Sequence, residues 1–152
     1  MNTLSFRKAQ LADLPAIIAL LSDDQLGQSR EDASAPLNPC YVRAFTAMEN
    51  DANQLQVVAV IADLIIGTLQ LTFIPGLARK GAWRGQIEGV RIAREYRNSG
   101  CGELMFHWAI QQCKDRGCQW VQLTTDKCRA DAHRFYQKLG FIDSHHGYKL
   151  AL

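Results

Sequence analysis

The segment from Trp83 to Ala93 reads as a strand. It runs into the loop Arg97-Asn98-Ser99-Gly100, and from Gly102 to Arg116 the residues Leu104, Phe106, Trp108, Ala109 and Ile110 mostly line one side of a helix closed by Gly117. This strand–loop–helix unit is the strongest constraint in the chain. A loop with glycines at Gly100 and Gly102 that feeds a helix exposes the unpaired amides of the helix N-terminus, where the helix dipole is positive. Either the loop turns a corner, or it holds something negatively charged.

The surrounding segments suit an α/β unit. Leu4 to Lys8 reads as a strand, and Asp13 with Pro15 opens a helix whose Leu14, Ile17, Ile18 and Leu21 recur at helical spacing. Ser22 to Pro39 is polar and broken by Gly27, Pro36 and Pro39, which predicts an irregular connection with a short helical turn. Tyr41 to Met48 suits a second helix. In QVVAVIADLIIGTLQLTFIP two β-branched runs meet near Ala62-Asp63-Leu64, as in a hairpin, and PGLARKG forms a turn before the Trp83 strand. Trp120 to Thr125 reads as a strand, Ala130 to Leu139 as a helix stopped by Gly140, and Phe141 to Leu152 as two last short strands. The expectation is one α/β domain over residues 1–152, a mixed central sheet flanked by about four helices.

Composition narrows the function classes. The 152 residues carry 17 Lys+Arg against 15 Asp+Glu, a net charge of +2, so no nucleic-acid partner is expected from whole-chain charge. No apolar run of about 18 residues occurs and MNTLSFRKAQLADL lacks the pattern of a secretory signal, so no membrane partner is expected. The five cysteines include no CxxC pair, which suits reduced thiols in the cytoplasm and argues against a metal site; His145-His146 has no matched ligand spacing beside it.

Among phosphate-binding loops, a Walker loop fails because Gly102 is followed by Glu103-Leu104 rather than Lys-Ser/Thr, and a dinucleotide fingerprint meets a bulky Met105 where it needs a small residue. Arg97-Asn98-Ser99-Gly100-Cys101-Gly102 matches Arg-x-x-Gly-x-Gly. With IEGVRIAREYRNSGCGELM before and around it and HRFYQKLGF downstream, the chain resembles the GCN5-related N-acetyltransferases, and the order of elements agrees over nearly its whole length.

That resemblance implies acetyl-CoA as co-substrate, with its pyrophosphate on Arg97, Asn98, Ser99, Gly100, Cys101, Gly102 and Glu103, and its pantetheine arm along the main chain of Val90, Arg91 and Ile92. One of those amides would face the thioester oxygen, where negative charge develops. Glu88 corresponds to the acidic residue many members use as a base; an amine of pKa about 10.4 needs one at neutral pH. Glu88 is otherwise a solvent-facing strand residue, and a bulge at Gly89 decides which face it uses. Tyr136 corresponds to the tyrosine that protonates the departing thiolate, or packs as a core aromatic. Arg129 stands where many members carry an asparagine, so its contact with the cofactor must differ. Asp24, in the loop after the first helix, and Trp83, at the entry to the Glu88 strand, are the expected acceptor contacts for a small-molecule amine. A non-catalytic acyl-CoA sensor or partner-binding module, or a protein N-acetyltransferase, is the alternative. A homodimer through paired terminal strands is compatible with the pattern.

Overall fold

The computed structural model describes residues 3–152. One sheet runs through it in the order β1-β2-β3-β4-β5, formed by Ser5–Lys8, Gln54–Ile61, Leu64–Ile74, Arg84–Ile92 and Trp120–Leu123. Neighbours from β1 to β4 are antiparallel and β5 joins β4 in parallel, so the sheet is mixed as expected. The helices are α1 Leu14–Ser22, α2 Gln25–Arg30, α3 Pro39–Glu49, α4 Ala78–Gly81, α5 Cys101–Asp115 and α6 Ala130–Lys138. Two are short pieces inside segments read as connection and turn. Asp24 starts α2 by accepting from the Gly27 amide at 2.5 Å, and α4 is a single turn with Arg79 and Lys80 in left-handed backbone.

The β2–β3 hairpin closes on Ala62 and Asp63, both at positive φ, the geometry whose twist matches that of the paired strands. Adjacent residues then serve opposite faces: Val57 packs with Met105, Phe106, Ala109 and Cys113 of α5, while Val58 packs with Leu14, Ile17 and Phe45 of α1 and α3.

A bulge interrupts this alternation in β4. Thr68 pairs with Arg91 and Gln70 with Glu88, so Gly89, at φ 58°, and Val90 together stand opposite Leu69. The extra residue puts Glu88 and Arg91 on the same face. Since Val58 lies across from Thr68, that face is the one covered by α1 and α3.

The two strands expected from Phe141 to Leu152 do not form. Gly140, at φ 91°, ends α6, and the chain then runs without ladder pairing, with Ile142, Tyr148, Leu150 and Leu152 exposed. Phe141 alone of that segment's large apolar residues packs against the main core, so the rest has neither a neighbouring strand nor a face to bury.

Candidate active site

Three elements converge at the C-terminal end of β4. Pairing with β5 runs from Arg84↔Trp120 to Ile87↔Leu123 and stops, while β4 continues to Ile92. The strands part there, and the edge of β4 from Glu88 onward that faces away from β3 has no strand beside it. The side chains of Val90 and Ile92 pack against the core, so what they present along that edge is main chain.

The mouth of α5 lies at the same end. Gly100 precedes the helix at φ 86°, the first turn closes from the Leu104 amide to the Gly100 carbonyl at 3.0 Å, and no side chain caps the helix. The first amides of α5 are therefore left for a ligand or solvent. A methyl on Gly100 would meet nothing within 4 Å, and one on Gly102 would touch Ile92 Cγ1 and Phe135 Cζ at an ordinary 3.8 Å. Protein packing has space for a side chain at both positions; glycine there leaves the helix mouth open.

The side chains of the loop are engaged elsewhere. Arg97 donates from Nε to the Ile92 carbonyl at 2.9 Å and from Nη2 to the Asp23 carboxylate at 3.0 Å, while Arg94 reaches the other Asp23 oxygen at 3.2 Å. These bonds stitch the loop to the end of α1. Ser99 donates its hydroxyl to the Tyr96 carbonyl, and the Cys101 side chain is buried. Asn98 supplies a left-handed turn at φ 59°. Glu103 accepts from Lys138 Nζ at 2.9 Å, a bond that joins α5 to α6 and holds the carboxyl below the ordinary range.

Tyr136, on α6, stacks obliquely on Phe106 and edge-on to Phe141, so it is both a core aromatic and the bearer of a hydroxyl. Burial pushes that phenol up; the charges of Arg129 and Arg91 and a hydrogen bond from Thr125 pull it back without cancelling the rise. It stays protonated at neutral pH. Asp24 is the meeting point of the other charges. One oxygen accepts from the Gly27 amide; the other receives Arg129 Nη2 at 2.9 Å and has Arg91 Nε at 3.3 Å. Burial raises the Asp24 carboxyl, but the amide and the two guanidinium groups outweigh it and hold the group below its usual range.

Glu88 is exposed on the Arg91 face. Trp83 does not join this group: it precedes β4, about 17 Å of strand before Glu88, and packs against the main core, with its carbonyl accepting from Gln119. The Arg91 side chain was missed by sequence reasoning, which read that residue for its main chain; the signal was Gly89, whose bulge shifts the facing of everything after it. Among the described residues no group of three or more His, Cys, Asp or Glu side chains could hold a metal, and no helix is long and apolar enough to cross a membrane.

Residues 17–141 match the model of the Acetyltransferase (GNAT) family. The chain belongs to that family. The fold agrees with solved relatives. A structure described as a transcriptional regulator from Bacillus halodurans C-125 is 45% identical, with a TM-score of 0.95 over 99% of this chain and 100% of that one. A predicted acetyltransferase of Clostridium acetobutylicum, solved with acetyl-CoA, is 20% identical with a TM-score of 0.74 over 98% and 96%. In sequence, an aminoalkylphosphonate N-acetyltransferase of Salmonella typhimurium is 31% identical over 70 residues; the match spans 46% of each chain, less than half of that relative's length.

Proposed function

We propose that this GNAT protein is an acetyl-CoA-dependent N-acetyltransferase that moves the acetyl group to a primary amine of a small molecule by direct attack. The observation that carries the proposal is the pairing of the glycine-lined mouth of α5 with the bare edge of β4, beside a protonated tyrosine. In this scheme the main-chain amides from Asn98 to Glu103 bind the diphosphate, and Val90, Arg91 and Ile92 align the pantetheine arm by main-chain hydrogen bonds and offer an N–H to the thioester oxygen. Glu88 accepts the proton of the attacking amine, directly or through a water, and Tyr136 gives its phenolic proton to the thiolate as the C–S bond breaks. Arg97 and Glu103 act by fixing the loop and the helix mouth, and Asp24 by holding Arg91 and Arg129 on the acceptor side. The relative with an aminoalkylphosphonate substrate in its name supports a small amine here.

Five free cysteines fit a cytoplasmic setting. The open outer edge of β5 and the exposed apolar residues of the C-terminal segment fit a homodimer in which that segment meets a second copy; light scattering that returns a monomer at all concentrations would refute it.

A regulator that binds acyl-CoA without turnover is a second reading, favoured by the description of the 45%-identical structure. One experiment separates them. Thermal shift with coenzyme A reports the binding site, and thiol release from acetyl-CoA with an amine panel reports turnover. The enzyme reading expects both, and expects Tyr136→Phe to lose about 10²- to 10⁴-fold in rate with the coenzyme A shift intact. Stabilisation without thiol release from any amine would favour the regulator.

A further inference from the structure

The Arg91–Asp24–Arg129 group has a charge surplus that the protein does not neutralise. A single carboxylate oxygen, Oδ2 of Asp24, faces two guanidinium groups, and its partner oxygen is spent on the Gly27 amide. Arg91 is largely withdrawn from water, its side chain 17% exposed against 32% for Arg129. Its Nη1 donates to the Val90 carbonyl, yet its Nε, though near Asp24, is a buried side-chain nitrogen without a hydrogen-bond partner, the one such atom among the described residues. A buried cation with an orphaned donor is costly unless something supplies the missing acceptor.

Apart from Asp24, whose Oδ2 pairs with this nitrogen at 3.3 Å without a hydrogen bond, the neighbouring acids are engaged elsewhere. Glu31 influences Arg91, but its carboxylate accepts the Tyr41 hydroxyl at 2.8 Å and makes no ion pair with either arginine. Asp126 feels the charge of Arg129 but makes its ion pair with Arg30, at 3.7 Å, and Asp23 is held by Arg94 and Arg97. His133 is turned to the Asp126 carbonyl. Both guanidinium groups act by charge on the Tyr136 hydroxyl, and Arg91 shares its sheet face with Glu88. A cationic amine with no other charge would be repelled from such a place. An amine with an anionic group at its other end would satisfy the free N–H groups of both forks and leave its nitrogen toward Glu88.

We infer that Arg91 and Arg129 form an anion subsite for the acceptor, so that the substrate is a small amine that also carries a carboxylate or a phosphonate. The inference rests on the N-acetyltransferase reading for its chemistry and on the ion group alone for its specificity.

The test compares 2-aminoethylphosphonate, β-alanine and propylamine by thiol release, in the unaltered protein and in Arg129→Asn and Asp24→Asn. The expected result is that at least one anionic amine exceeds propylamine in kcat/KM by about 10- to 100-fold. The two anionic arms decide between phosphonate and carboxylate. Arg129→Asn should reduce kcat/KM for the anionic amines by about tenfold more than for propylamine and keep the coenzyme A thermal shift. Asp24→Asn retains an acceptor for the Gly27 amide but removes the internal competitor, so it should lower KM for the anionic amine; a merely structural ion pair would make both variants worse alike. Equal rates for propylamine and the anionic amines, or equal losses for all three in Arg129→Asn, would overturn the inference. Should no amine turn over, the enzyme reading fails on its own, and calorimetry of 2-aminoethylphosphonate and β-alanine against the coenzyme A complex judges the subsite. Binding that weakens about tenfold or more in Arg129→Asn sustains it, and no binding of either sinks it.

Discussion

Gly85 is fixed by what lies across from it. It sits in β4 facing α5, and a methyl built on its backbone would run into Cys113 Sγ. Cys113 is fully buried, and burial pushes its thiol up to about 12, so it behaves as a small apolar filler rather than a nucleophile. Gly85→Ala should therefore cost roughly 1–3 kcal/mol by overpacking. In Gly85→Ala/Cys113→Ala the vacated sulfur position receives the new methyl, and the two changes should cost less together than the sum of each alone, by about 1 kcal/mol or more. Urea melts of the four proteins check this. Additive losses would mean that the strand and helix do not meet at these two residues. At this scale the sequence was readable where a residue type serves one local conformation, as with Gly117 and Gly140, which end α5 and α6 at positive φ. It was opaque where identity is decided by a neighbour distant in the chain, as with Gly85, or with Arg129 and its partner Asp24.

Elements were legible wherever periodicity and a stop signal agreed. The hairpin around Ala62-Asp63, the long helix ending before Gly117 and the helix ending before Gly140 fall within a residue or two of expectation. Two things escaped. The facing of β4 beyond Glu88 depends on a bulge whose partner strand must be known, and Phe141 to Leu152 has strand-like composition but no edge to join in this chain. The mouth of α5 can be tested as an element. Gly100 and Gly117 flank the two ends of that helix, at φ 86° and 80°, and neither has an atom within 4 Å of a built methyl. Alanine at either position pays the same left-handed backbone strain, about 1 kcal/mol. If the N-terminal amides bind the diphosphate, only Gly100→Ala should lose the coenzyme A thermal shift, by about tenfold or more in affinity. Equal shifts in the two variants would dissociate the helix mouth from cofactor binding.

Across the whole molecule, carboxylates held by arginines and lysines tie the parts together, and this fixes how stability responds to acid. Asp13 is the best defined of them. It receives both Arg7 nitrogens, at 2.7 and 3.0 Å, and the Gln10 amide at 2.7 Å, joining the edge strand β1 to the start of α1. The bond from Arg7 outweighs burial and lowers its carboxyl in the folded state, as the Gly27 amide and two arginines do for Asp24. A group whose folded value is depressed contributes stability that is complete above its unfolded value, about 4, and disappears as pH falls through the lower folded one. Asp32, Glu103 and Asp126 shift in the same direction but lie exposed, where solvent screens their share. The protein should thus lose stability steadily below about pH 4. Asp13→Asn isolates one contribution: it should cost roughly 1 kcal/mol in urea melts at pH 7 and progressively less as the pH falls below about 4 and the native carboxyl takes up its proton. A penalty that persists unchanged in acid would show that Asp13 acts through its shape and its hydrogen bond to Gln10, and that the Arg7 charge adds nothing to the join between β1 and α1.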